Sequence, residues 1–263
     1  MGAVNEWSVD RAVRVLLDAE RQRTDRGPIT SEWPGLDLDT AYRVQDELIG
    51  QKVKAGERII GVKLGLTSRA KQQRMGIDSP LTAWLTDAMV LEAGAGVPLA
   101  ELIHPRIEPE IVFVLGKRLE GPGVTAATAL SAVESVHAGF EVIDSRYTDF
   151  KFTLPDVVAD NASSARVMLG GVSCGPHELD LALEPCLLEV DGQVVASATG
   201  AAVQGNPAEA LALAANSLAR RQIAVEAGWL VFTGGLTDAV PVEPGKPVSV
   251  EFGHLGSLTV AGF

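Results

Sequence analysis

Apolar positions recur at helical spacing near the start of the chain and at strand spacing through most of the rest. Val9, Ala12, Val13, Leu16 and Leu17 form the i, i+3, i+4, i+7, i+8 stripe of an amphipathic helix, with Ser8 placed to cap it. A second helix is predicted from about Asp39, with Ala41, Val44, Leu48 and Val53 inward and a stop at Gly56. Near Arg58 the texture changes to short apolar runs broken by turns. The runs at 59–66 and 107–115 read as strands. Thr67-Ser68 is placed to cap a short helix over 69–75. Thr125 is placed to start a helix that carries Ala129, Leu130, Val133 and Val136 inward, and the chain returns as a strand over 139–146. On this reading the helix serves as a crossover that sets the two strands side by side, and His137 ends it. The Asp191-Gly192 pair between two apolar runs is the clearest hairpin signal, and Asn206-Pro207-Ala208-Glu209 opens a helix to about Arg221. Short β segments near 229–232, 239–242, 248–252 and 258–260 complete the pattern. The sum is an α+β chain with an antiparallel-rich β core: a helical arm over residues 1–58 and a larger domain over 59–263.

Composition narrows the class. With 263 residues, 46% hydrophobic and 21% charged, the chain can bury a full core, and no apolar run approaches the roughly 20 residues of a bilayer span. The N-terminal stretch has neither a basic nor an apolar signal region, so a cytoplasmic protein is expected. Cys174 and Cys186 lack the spacing of a zinc cluster or disulfide scaffold. A net charge of −12 argues against nucleic acid and against an anionic membrane surface. It also means that an anionic substrate would need a local positive centre, either a metal or placed Lys and Arg. The dinucleotide fingerprint and the Walker P-loop are both missing.

Candidate chemistry centres on the strand at 107–115. Glu108 and Glu110 fall on one face of it, roughly 7 Å apart along the strand, close enough for their carboxylates to converge on one ion. Two carboxylates entering an apolar strand are costly unless something positive neutralises them, and hard divalent cations take such ligands. The bland reading, a strand end with two solvated glutamates, fits the spacing equally well. Lys63, between Gly61 and Gly65, is either an edge lysine that blunts a strand or a functional group. Glu141 returns a third carboxylate to the sheet. The polar run at 158–164 fits a pocket lining or a plain turn, and the backbone amides of Thr233-Gly234-Gly235 could meet an oxyanion. His104 and His137 lack paired zinc-ligand spacing and read as structural.

Five blocks occur in an order that carries more than any one of them. They are Gly61-Val62-Lys63-Leu64-Gly65-Leu66-Thr67-Ser68, His104-Pro105-Arg106-Ile107-Glu108-Pro109-Glu110-Ile111, Glu141-Val142-Ile143-Asp144-Ser145-Arg146, residues 158–164, and Thr233-Gly234-Gly235. Together they resemble the hydratase/decarboxylase branch of the fumarylacetoacetate hydrolase superfamily, from about Leu36 to Phe263. The resemblance implies a mixed β roll with peripheral helices. It also implies Mg²⁺ or Mn²⁺ held by Glu108, Glu110 and Glu141, with Lys63 catalytic and substrate-binding. Asp78 follows as an acid/base candidate, and Arg146, Ser163, Thr233 and Gly234 as substrate-binding residues. Hydratases of this branch read Gly-Val-Asp-Gln-Pro-Asp-Phe-Gly where this chain has Gly76-Ile77-Asp78-Ser79-Pro80-Leu81-Thr82-Ala83. The carboxylate after the proline, a base for water addition, is Leu81 here. The stretch Asp144-Ser145-Arg146-Tyr147 followed by Phe150-Lys151-Phe152 is also of the decarboxylase type.

The implied reaction is therefore loss of CO₂ from the small anionic 2-oxo acid 2-oxohex-3-enedioate, in aromatic meta-cleavage catabolism. The alternatives are hydration of 2-hydroxypenta-2,4-dienoate, acylpyruvate hydrolysis, and a non-catalytic partner that stabilises a hydratase. A homo-oligomer and a complex with the pathway hydratase are the partners expected.

Overall fold

The computed structural model describes residues 7–69, 72–73, 76–77, 80–92 and 94–263. Helices α1 (Val9–Gln22), α2 (Ile29–Glu32) and α3 (Leu38–Lys54) open the chain. Ser8 and Asp37 cap the two longer ones by accepting from the Arg11 and Thr40 amides, which satisfies donors that a helix start leaves orphaned. Two sheets follow. The larger has seven strands: β2 (Leu81–Thr86), β1 (Ile59–Gly65), β8 (Leu230–Phe232), β3 (Arg106–Leu115), β4 (Val133–Ile143) and β5 (Ser164–Cys174) in spatial order, with β9 (Val240–Pro241) pairing β3. Only β1 and β8 run parallel. The smaller sheet has the order β11 (Ser257–Ala261), β10 (Pro247–Phe252), β6 (Pro185–Val190), β7 (Gln193–Thr199). Its β6–β7 hairpin turns at Asp191 and Gly192, both at positive φ, as a two-residue turn matched to strand twist requires. Helices α4 (Ala126–Leu130), α5 (Leu154–Ala159) and α6 (Pro207–Ala219) lie outside the sheets in sequence. Among the described residues no helix is long and apolar enough to cross a membrane.

Two expectations fail between residues 126 and 143. The helix after Thr125 stops at Leu130, and Val133, Val136 and His137 belong to β4, so His137 does not end a helix. The connection is correspondingly not a crossover: β3 and β4 are antiparallel neighbours along nearly their whole length. Helical spacing of Ala129, Leu130, Val133 and Val136 was coincidental. The β-branched residues of 133–143, with a ten-residue partner strand to pair against, settle the segment as a strand. Strands β2 and β5 were not anticipated either. All six residues of β2 are buried, so its run of Leu, Thr, Ala and Trp shows no alternation to read.

The helical arm shares the core of the rest. Ala12, Val13 and Leu16 of α1 and Val44, Leu48 and Ile49 of α3 are buried in one apolar cluster with the sheet residues. The buried Gln45 amide of α3 donates to the carbonyls of Thr82 on β2 and Val158 on α5.

Candidate functional site

Antiparallel register creates the site. Glu108 on β3 stands directly opposite Glu141 on β4, and Glu110, opposite Gly139, lies on the same face of β3. Directly opposed side chains come within about 5 Å, where like charges destabilise a sheet. Carboxylate oxygens of Glu108, Glu110 and Glu141 all lie within 4.8 Å of one another. Glu110 and Glu141 are fully buried, and Glu108 is half-buried.

The two buried carboxylates are held from behind. Lys63, buried in the middle of β1, places Nζ 3.1 Å from Glu141 Oε2, and the Ser164 hydroxyl donates to Glu141 Oε1 at 2.9 Å. The backbone N–H of Gly234 donates to Glu110 Oε2 at 2.7 Å. That amide is delivered by the loop after β8, which is pinned to β3 through Thr233 Oγ1 to the Ile111 carbonyl and Leu236 N–H to the Pro109 carbonyl. Gly234 adopts φ +110, and a side chain there would collide with Thr67; one at Gly235 would collide with the Glu108 carboxylate. Both glycines are thus required by close approach.

Glu110 Oε1 is buried without a hydrogen-bond partner. Burial first, then the neighbouring Glu141 and Glu108 carboxylates, hold its pKa well above the usual carboxylate range, against the pull of the Gly234 amide and Lys63. Three converging carboxylates, one with an orphaned buried oxygen and, among the described residues, Lys63 bonded to Glu141, are an oxygen donor set that fits a hard divalent cation. The residues present fit Mg²⁺ or Mn²⁺.

The site opens on a cavity of 250 Å³ whose polar lining includes Lys63, Glu108, Thr67 and Ser68, with Gly235 beside them. Leu64, Leu81, Ile143, Phe150, Phe152 and Val157 form its apolar wall. Ser163 and Ala162 also line it. They end the run Asn161-Ala162-Ser163, in which all three residues have positive φ, a conformation rare for residues with a Cβ. The Asn161 side chain compensates by bonding both the N–H and the carbonyl of Trp84 on β2.

The structure therefore brings together Lys63, Glu108, Glu110, Glu141 and Ser163. It places three other expected residues differently. Arg146 is buried against Asp160, bonding its carboxylate and carbonyl, and faces a separate polar cavity with Glu20, Lys52 and Arg166. A buried guanidinium takes the nearest buried carboxylate, and Asp160, raised by burial to about 6 even beside Arg146, is that group. Thr233 is buried with its hydroxyl committed to β3, and the Gly234 amide is committed to Glu110. The Thr233 hydroxyl thus fastens the loop to β3, and the Gly234 amide holds a carboxylate. Asp78 lies outside the described residues. His104 bonds the Ser145 carbonyl and His137 the Gly170 carbonyl, apart from the carboxylate cluster. Ser164 was missed: its only signal was its place beside Ser163 in the polar run.

Strand order, the opposed carboxylates and the glycine loop define a single architecture. The chain belongs to the fumarylacetoacetate hydrolase family: the family described as fumarylacetoacetate (FAA) hydrolase C-terminal matches residues 58–261. Within it, the chain is 42% identical over 242 residues to a 4-oxalocrotonate decarboxylase of Pseudomonas sp. (strain CF600), covering 92% of each chain. It is 38% identical to a 2-hydroxyhexa-2,4-dienoate hydratase of Comamonas testosteroni, over 93% of this chain and 94% of that one. The solved 4-oxalocrotonate decarboxylase from Pseudomonas putida G7, complexed with magnesium and adipate, superposes with a TM-score of 0.94 at 38% identity, covering 98% of this chain and 99% of that one.

Proposed function

We propose that this chain catalyses the divalent-metal-dependent decarboxylation of 4-oxalocrotonate (2-oxohex-3-enedioate) to 2-hydroxypenta-2,4-dienoate. The observation that carries the reading is the cavity itself, which joins the three-carboxylate cluster through Glu108 and Lys63 to an apolar wall that includes Leu81. Among the described lining residues Glu108, a member of the carboxylate cluster, is the one carboxylate, and Leu81 stands where hydratases of this branch carry a carboxylate suited to activating water. Similarity to 4-oxalocrotonate decarboxylases supports the same choice.

Glu108, Glu110 and Glu141 would hold Mg²⁺ or Mn²⁺, with Ser164 and the Gly234 amide fixing two of them in place. The ion, when bound, supplies Lewis acidity to the 2-oxo end of the substrate, where negative charge accumulates. As the C5–C6 bond breaks, C6 leaves as CO₂ and its electron pair forms the C4–C5 double bond. The C3–C4 pair moves to C2–C3, and the C2 oxygen takes the charge and then a proton. Lys63 stands beside that end of the cavity and can stabilise the charge or hold the proton. Ser163 lines the cavity with its hydroxyl donating to Asp160 Oδ2 at 3.3 Å, which leaves the oxygen's acceptor capacity, or a turn of the hydroxyl away from that long bond, for the substrate. Self-association and pairing with a hydratase belong to the same reading, because the dienol product ketonises unless it is consumed.

The purified chain, stripped with EDTA and resupplied with Mg²⁺ or Mn²⁺, is offered 2-oxohex-3-enedioate and 2-hydroxypenta-2,4-dienoate separately. Metal-dependent CO₂ release from the first is expected. Water addition to the second without CO₂ release from the first would establish the hydratase instead.

A further inference from the structure

Phe150 stands at a junction. Its ring lines the metal-site cavity and also an outer groove of 410 Å³ lined by His104, Arg106 and Asp149. On the outer side the Arg106 guanidinium carbon lies 4.5 Å from the ring centroid, and the His104 ring centroid lies at 4.9 Å. Arg106 is two residues before Glu108 on β3 and shares its face, roughly 7 Å further along the strand. A six-carbon dicarboxylate held by its 2-oxo end spans about 5 Å from C2 to C6 with C–C bonds of about 1.5 Å, a length comparable to the strand spacing between Glu108 and Arg106, and Phe150 lines the same cavity as Glu108. Among the described residues no carboxylate pairs with Arg106.

The backbone that holds the ring is strained. Asp149 and Phe150 both adopt φ +56, a region in which a bulky aromatic residue is an outlier. Such strain persists only where the surroundings enforce it, and here they do. Phe150 N–H donates to the Tyr147 carbonyl, Lys151 N–H to that of Thr148, and Thr148 N–H to that of Arg26 in the arm. The same segment carries the Phe150-Lys151-Phe152 pattern, to which the metal chemistry assigns no role.

We infer that Phe150 is a specificity-determining partition: it keeps the carboxylate that will leave as CO₂ in an apolar chamber, out of hydrogen-bond reach of Arg106 and of water. The inference rests on the decarboxylase reading above. The C6 carboxylate is charged before the reaction and neutral after it, while the electron pair of the C5–C6 bond ends on the C2 oxygen. An unsolvated chamber therefore raises the ground state more than the transition state, in which that charge has largely left C6. Arg106, exposed behind the ring, contributes positive charge to the approach of the dianion without solvating its far end.

The test is a mutant cycle on the Mg²⁺-loaded protein with 2-oxohex-3-enedioate, following CO₂ release and melting temperature. Phe150→Asn suits the left-handed backbone better than Phe but opens and polarises the wall. It is expected to lower kcat at least tenfold, with KM unchanged or lower and the melting temperature unchanged or higher. Phe150→Leu, still apolar, is expected to lose less than the Asn variant. Arg106→Ala is expected to change KM less than threefold in the native background and at least tenfold in the Asn background. Equal Arg106→Ala effects in both backgrounds, or a kcat loss in Phe150→Asn that only tracks a fallen melting temperature, would overturn the partition alone. A native protein that releases no CO₂ overturns the decarboxylase reading and the partition with it.

Discussion

Glu110 carries the heaviest electrostatic load of the three carboxylates. It is fully buried beside Glu108 and Glu141, with one oxygen bonded to the Gly234 amide and the other orphaned. Without a cation this arrangement destabilises the fold, and with one it becomes the reason for binding. Glu110→Gln is therefore expected to raise the melting temperature of the metal-free protein by a few degrees, since about 1 kcal/mol corresponds to roughly 2–4 °C at this size. The same variant should lose the further rise on adding Mg²⁺, and decarboxylation should fall at least about 100-fold. Differential scanning fluorimetry with and without metal reads the first two effects. Lys63 has the opposite profile. Its ammonium offsets Glu141, so Lys63→Met is expected to destabilise the metal-free protein by about 3 kcal/mol, the scale for breaking a buried pair. Mg²⁺ should recover part of that loss by neutralising Glu141, while kcat stays about 100-fold down if Lys63 serves the C2 oxygen. Recovery of kcat together with stability would reduce Lys63 to a structural counter-ion.

The elements around the site are fastened by a few buried polar groups. Asp156 in the first turn of α5 accepts from Thr30 N–H at 2.9 Å and Thr30 Oγ1 at 2.6 Å, and from Thr153 N–H at 2.9 Å and Thr153 Oγ1 at 2.7 Å. One carboxylate thus caps α5 and ties it to the arm. Asp156→Ala removes the acceptor shared by four donors and is expected to cost about 2–4 kcal/mol in urea unfolding, a cap and a buried hydrogen-bond centre lost together. Because α5 leads into the strained run at 161–163 that lines the cavity, its KM should rise as well. The β3–β4 hairpin shows how an element fixes chemistry. Its register alone sets Glu108 against Glu141, and a one-residue slip would turn the carboxylates of one strand to the other face.

For the whole molecule, the large sheet and the glycine loop meet at the carboxylate centre and share one core with the arm, so the ion should report on global stability. At a Mg²⁺ concentration about 100 times its Kd, linkage contributes about 2.7 kcal/mol. At roughly 2–4 °C per kcal/mol, a rise in melting temperature of about 5–10 °C is expected. EDTA should abolish the rise and CO₂ release together. Activity that survives EDTA while the thermal shift disappears would separate the ion from catalysis. The arm enters the same ledger of contacts: Arg26 holds the segment leading to Phe150, and Thr30 holds α5.

Much of this was legible along the chain. Alternation exposed β3 and put Glu108 and Glu110 on one face, caps and turn residues located α1, α3, α6 and the β6–β7 hairpin, and ordered motifs supplied Glu141 and Lys63. These are local signals, written in residue spacing and turn chemistry. What spacing could not decide was pairing. Helical periodicity across 126–136 competed with β-branching, and only β3 as a partner turned residues 133–143 into a strand. Buried β2 showed no alternation because both its faces are covered. Arg146 read either as a substrate contact or as a structural partner of Asp144 or Asp149 until the fold brought Asp160 beside it, and Thr233 and Gly234 read as an oxyanion cradle until the Ile111 carbonyl and the Glu110 carboxylate of β3 took their hydrogen bonds. Hydrogen-bonding capacity belongs to the residue. Whether it is spent on the scaffold or left for a ligand depends on which buried partner the tertiary structure brings within reach.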